Sequence, residues 1–137
     1  MTMLRVTFLA LLTLLLGACT HAQQVREREA ADLAEFERFA GEPIDSFRYV
    51  RGLDHWRSFD DENLVIWTNG RKAYLLKLRE PCLDLHHQMN IAVLGSYNVV
   101  DNKFGYVKFG RERCRIKEIR PVDDMARKMA RREAKAG

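Results

Sequence analysis

Two hydrophobic periodicities divide the chain. Before residue 44 and after residue 122 the apolar spacing is helical, and between them it is that of short strands. Val6 to Leu16 is an almost unbroken apolar run, interrupted only by Thr7 and Thr13. From Gln23 to Ala40 the residues are mostly alanine, glutamate and arginine, with Leu33, Phe36 and Phe39 near one face and Ala40 beside them. Gly41 and Pro43 stop that helix. It is either a spacer or a helix docked on the neighbouring sheet. The large apolar residues on one face favour docking.

The central region is a series of strands separated by turn residues. Phe47 and Tyr49 alternate with Ser46 and Arg48, and Arg51-Gly52 breaks the run. His55 to Phe59 is a second candidate, ended by Asp60-Asp61-Glu62-Asn63. Leu64 to Thr68, then Asn69-Gly70, then Lys72 to Leu78 read as a β-hairpin, because Asn-Gly suits a turn whose two central residues have positive φ. Glu80-Pro81 ends the return strand. Leu83 to Asn90 is either a polar loop or one helical turn. Ile91 to Leu94, Tyr97 to Val100, Phe104 to Phe109 and Cys114 to Arg120 complete the set, with Pro121 as the last stop. Asp123 to Lys135 has acids at its start and bases at its end, as a helix prefers.

These elements predict a mainly β (α+β) chain. The expected core is a small antiparallel barrel or sandwich of about six to eight short strands, with an N-terminal helix and a short basic C-terminal helix. The expected organisation is a signal peptide over 1–18, a lipid attachment site and helical tether over 19–43, a β-rich domain over 44–122 and a basic helical tail over 123–137.

The N-terminal apolar run has the build of an export signal. Arg5 supplies a positive start, the run is shorter than the roughly 18 residues of a spanning helix, and Gly17-Ala18 gives a small-residue exit. Leu16-Gly17-Ala18-Cys19 resembles the lipobox of bacterial lipoproteins. That resemblance implies a mature chain starting at Cys19, lipid on its sulfur and its amine, and firm membrane attachment by more than one acyl chain. Thr20 is not the Asp that favours inner-membrane retention in that class, so the expected location is the periplasm, attached to the outer membrane. Cleavage near Ala22 would instead give a soluble periplasmic protein.

Composition narrows the chemistry. The chain of 137 residues suits one domain with a modest core, and its formal charge of +4 is mild. Export argues against nucleic acid as a partner, and an envelope protein or an anionic envelope polymer is the natural electrostatic one. Of the three cysteines, lipidation of Cys19 leaves Cys82 and Cys114 as a pair, which an oxidising compartment would join. Their spacing matches neither a CxxC redox motif nor a zinc knuckle.

No catalytic fingerprint is present: there is no G-x-S-x-G, H-E-x-x-H, phosphate loop or dinucleotide motif. No cofactor and no metal site is expected. The strongest rival is a small enzyme or metal binder built from Asp84, His86 and His55. Adjacent His86 and His87 point to opposite faces of a strand and would not share one metal there. A third reading is a soluble ligand-binding module that uses Trp56, Arg57, Trp67 and Tyr74, since aromatics with basic neighbours hold anionic sugars and peptides. Aromatics on alternating strands are, more often, core.

From Phe47 to Asp123 the order of features resembles an uncharacterised family of small bacterial envelope proteins, a domain of unknown function. The resemblance rests on Trp56 to Asp61, Leu64 to Thr68, Ala73 to Leu78, Pro81-Cys82 and Cys114-Arg115-Ile116. It implies a leader, often a lipobox, and two cysteines in these places, and it implies no activity. The function expected is that of a non-catalytic, lipid-anchored protein whose β-domain binds or supports another envelope component.

Overall fold

The computed structural model describes residues 1–49, 52–68 and 71–137, with the side chains of residue 2 and residues 4–18 outside that description. The expected Asn69-Gly70 turn and Arg51 also lie outside the described residues. The chain forms two compact units, Met1–Ala31 and Asp32–Gly137. The first is helical and belongs to α1 (Thr2–Arg38), which continues into the second. Among the described residues no helix is long and apolar enough to cross a membrane.

Among the described residues the second unit holds eight strands: β1 (Ser46–Arg48), β2 (Leu53–Ser58), β3 (Asn63–Thr68), β4 (Lys72–Leu78), β5 (Ala92–Leu94), β6 (Val99–Asp101), β7 (Tyr106–Phe109) and β8 (Glu112–Val122). A 3-10 turn, Leu85–His87, follows β4, and α2 (Asp124–Ala136) follows β8. Six strands form a curled antiparallel half-barrel in the order β2-β3-β4-β8-β7-β5, and β1 and β6 form a separate pair. The fold class expected from the periodicities is therefore the one observed. Between β5 and β6 the chain reverses through Tyr97 and Asn98, both at positive φ, and a Cβ on Gly95 would collide with the Val99 carbonyl.

The long strand β8 joins the two halves of the sheet. Its first residues pair with β7 and its later ones with β4. The strand runs through Pro121, where sequence patterning places a stop. Proline lacks an N–H but keeps its carbonyl, and Pro121 O accepts from the Gly41 N–H at 2.7 Å. Ile44 N–H donates to Ile119 O at 2.8 Å in the same way.

The sheet has an inner and an outer face. Leu64, Ile66, Tyr74, Leu76, Leu78, Ile116 and Ile119 point inward and pack with Phe47 and Val100 from the β1–β6 pair. Val65, Trp67, Ala73 and Leu75 point outward and pack beneath Phe36, with Leu33 and Phe39 beside it. With both faces covered, Leu64 to Thr68 are all buried, which is why β3 reads as a continuous apolar run and not as an alternation.

An ionic network with Asp124 and Arg127 buried at its centre borders the outer cluster. Trp67 Nε1 donates to Asp124 Oδ2 at 2.9 Å. Arg127 donates to Asp124 Oδ1 at 2.8 Å and to Glu35 at 2.9 Å, with its guanidinium 4.1 Å from the Phe36 ring centroid. Arg131 bridges Glu35 and Asp32, and Asp32 also pairs with Arg57 on β2. Asp123 caps α2 by accepting the Ala126 N–H at 2.9 Å. Burial alone would raise the Asp124 carboxyl, but hydrogen bonds from Lys128, Trp67 and Arg127 outweigh it and hold that group below the ordinary carboxylate range.

Cys82 and Cys114 are joined, with their Cα atoms 5.8 Å apart, in the range a disulfide spans. The bridge ties the exit of β4 to β8 and closes a loop with a sequence separation of 32. Serine at both positions is expected to cost about 3–4 kcal/mol by the chain-entropy model, read as a lower urea midpoint; an unchanged midpoint would show that the bridge adds no stability. Asp124→Ala is expected to cost about 3 kcal/mol at neutral pH, because it leaves the buried Trp67 N–H without its acceptor and takes one of the two carboxylates that pair with buried Arg127. The folded Asp124 carboxyl titrates below its unfolded value. Its contribution is therefore complete above the unfolded value and disappears as pH falls through the folded one. Urea midpoints measured down the acid range should fall less steeply for Asp124→Asn than for the native chain; equal slopes would refute this.

Candidate functional site

The structure separates the residues that sequence reasoning grouped. Trp56 and Tyr74 lie on the inner face: Trp56 is half-buried against the core, and Tyr74 stacks on Phe47 at 4.1 Å. Burial pushes the Tyr74 phenol up. Trp67 and Arg57 lie on the outer face, where the Trp67 indole is committed to Asp124 and Arg57 to Asp32. Cross-strand partners share a face, and the register pairs Trp56 with Ile66 and Tyr74 with Ile66, against Arg57 with Val65. No single surface presents all four residues. Trp56 and Tyr74 belong to the inner core and Trp67 to the outer one.

His55 and His86 are also divided by the sheet. His55 is outward and stacks on Trp67 at 4.1 Å. His86 sits on the 3-10 turn, its Nδ1 3.1 Å from the Oγ of Ser58, a residue in register with inward-facing Leu64. Asp84 holds a left-handed conformation at φ 65, and its carbonyl accepts from Gln88 and from the His87 N–H. Among the described residues no three His, Cys, Asp or Glu side chains come together as a metal site. The Ser58 hydroxyl is buried, and none of the described hydrogen bonds places a carboxylate behind His86. The pair pins the 3-10 turn to β2, without the access a nucleophile needs. Cys19 is a free, exposed cysteine on α1.

The outer face of the β8-β7-β5 half carries a surface that periodicity did not single out. Register places Leu94 beside Tyr106 and Tyr106 beside Arg115, and Ala92 beside Lys108 and Lys108 beside Arg113. The alternate residues Val93, Val107 and Ile116 are inner core, so this set faces outward. Lys117 follows on β8, exposed. Arg113 lies 5.0 Å from the Tyr106 ring centroid. The signal was present as the alternation Arg113, Arg115, Lys117, but the β7 residues that join it are known only once the register is known.

This surface is basic, and its cations form no ion pair among the described residues. Lys108 and Arg113 stand directly opposite one another, an arrangement that destabilises a sheet. Arg79 and Arg115 each donate to a backbone carbonyl, of Asn102 and Lys103 respectively. A carbonyl fixes a guanidinium without neutralising it. Among the described residues, the ion pairs engage none of Arg79, Lys108, Arg111, Arg113, Arg115 or Lys117. A groove of about 780 Å³ adjoins this surface and crosses the Cys82–Cys114 bridge.

Lys108→Glu turns the repulsive pair into an attractive one. It is expected to raise stability by a few tenths of a kcal/mol and to weaken retention on an anionic matrix. Urea midpoints and salt-elution positions check both halves. A variant that is destabilised, or that elutes at the native salt concentration, would deny the surface this role.

Comparison with known proteins returns one family, described as a family of unknown function (DUF6491), whose match covers residues 2–137. No curated protein and no solved structure matches the chain.

Proposed function

The chain belongs to that family, and because membership assigns no activity, we propose from its residues that it is an exported, lipid-anchored envelope protein whose β-domain binds an anionic envelope component without catalysis. The observation that carries this reading is the uncovered basic half of the outer face. Facing Lys108 and Arg113 is unfavourable in the isolated protein and becomes favourable when a polyanion lies across both. Tyr106 between the cations adds an aromatic surface suited to sugar or acyl contact.

The anchor is supported by independent features. Arg5, the apolar run to Leu16 and the Leu16-Gly17-Ala18-Cys19 pattern belong to exported lipoproteins, and Cys19 is exposed. The Cys82–Cys114 bridge suits an oxidising compartment. Thr20 directs the proposal to the periplasmic side of the outer membrane. The reading as a metal binder through Asp84, His86 and His55 is not favoured, because the sheet lies between His55 and His86.

Two measurements test the proposal. Cells given labelled palmitate should label the native chain and not Cys19→Ser; equal labelling of both would remove the anchor. Isolated envelopes should retain the purified full chain in a salt-sensitive manner, and the double variant Lys108→Glu, Lys117→Glu should be retained at least about tenfold less. Equal retention would remove the basic face from the function.

A further inference from the structure

Resting on the reading that the β-domain binds an anionic envelope component, we propose that the groove across the Cys82–Cys114 bridge is a distinct subsite for a phosphorylated sugar. Its volume of about 780 Å³ exceeds what a lone anion fills and lies within the 300–1,000 Å³ typical of small-molecule sites. One wall is the segment after β4, from Arg79 to Gln88, and the other is the β7–β8 turn with the start of β8. The disulfide joins the two walls, so the space between them is set by a covalent link.

The lining chemistry selects the ligand. All four cations in the groove are arginines, at 79, 111, 113 and 115, while the lysines of the basic face lie outside it. A guanidinium fork matches two phosphate oxygens at once, which an ammonium does not. Three of the four are held in place: Arg79 and Arg115 by backbone carbonyls, and Arg113 over Tyr106. None is neutralised by an ion pair among the described residues. Fixed, charged forks lose little freedom when a phosphate arrives.

The carboxylates make the groove less favourable to a bare polyanion than the face around Lys108. Glu80, Asp84 and Glu112 line the same groove and form no ion pair with these arginines among the described residues. An ionised carboxylate only accepts hydrogen bonds, so it repels a chain of phosphates and welcomes hydroxyl donors. The Gln88 amide adds a donor and an acceptor, although its Nε2 already donates to Asp84 O. A ligand that satisfies both sets carries phosphate on a polyhydroxylated ring. The exposed basic face would then supply general attraction, and the groove would supply the choice of headgroup.

The test titrates the full chain, in detergent micelles, with glucose 6-phosphate, glucose and inorganic phosphate, following backbone amide shifts. The sugar phosphate should bind at least about tenfold tighter than either other probe and shift amides on both walls. Arg111→Gln should weaken it about tenfold, because Arg111 is exposed at a turn and makes no described hydrogen bond. Glu80→Gln should weaken the sugar phosphate but not inorganic phosphate, which separates hydroxyl recognition from charge. Inorganic phosphate binding as tightly as the sugar phosphate, or sugar phosphate indifferent to both substitutions, would overturn the proposal. Failure of these titrations while envelope retention still depends on Lys108 and Lys117 would discard the subsite and leave the basic face standing. Loss of retention-dependence on Lys108 and Lys117 with the titrations intact would do the reverse.

Discussion

The structure depends on how the outer face of the sheet is divided. Trp67 is the hinge of that division: its indole is buried under Phe36 and its only polar atom is satisfied by Asp124. Asp124 is in turn held by Arg127, which reaches back to Glu35. Removing Asp124 leaves the buried Trp67 N–H without its acceptor and takes one of the two carboxylates of Arg127, so these groups are energetically coupled. Where the network covers the sheet, β3 and β4 are apolar on both sides. Where it stops, the same face must meet solvent, and there the chain places cations.

That division explains why the surface is basic in one place and not everywhere. The cations near the helices, Arg57, Arg127 and Arg131, are matched by Asp32, Glu35 and Asp124. Arg79 after β4 and Arg115 on β8 are fixed by neutral carbonyls, and Arg113 lies over an aromatic ring, which orients them and leaves the charge available. A modest net charge is thus distributed unevenly. Local field, and not overall charge, decides where an anionic surface would settle.

Much of the fold was legible in the residues. Leu64 to Thr68 and Lys72 to Leu78 form the paired strands their patterns predict, and the short apolar runs at Val93 and Val107 are core strands. Phe36, on the predicted apolar face of the N-terminal helix, is buried on the sheet. What periodicity cannot carry is partnership. Glu35 and Arg127 are 92 positions apart, and nothing local marks them as a pair. Trp67 and Tyr74 read more readily as core than as a ligand surface, but alternation does not say that they fall in two different cores, on opposite faces of the sheet. Pro121 read as a stop because it lacks an N–H, but its carbonyl still accepts a hydrogen bond, and only the fold shows Gly41 arriving to donate it. The basic face needed the register of β7 against β8 before Lys108 and Arg113 could be seen together.

On the function proposed above, the uncovered half of the outer face is where this protein meets an anionic partner. Amide hydrogen exchange of the full chain, free and bound to isolated envelopes, locates that contact without presuming the ligand. Protection should appear on β5, β7 and the first half of β8. Protection confined to the helix-covered half over β2, β3 and α2, or none anywhere in the sheet, would contradict it.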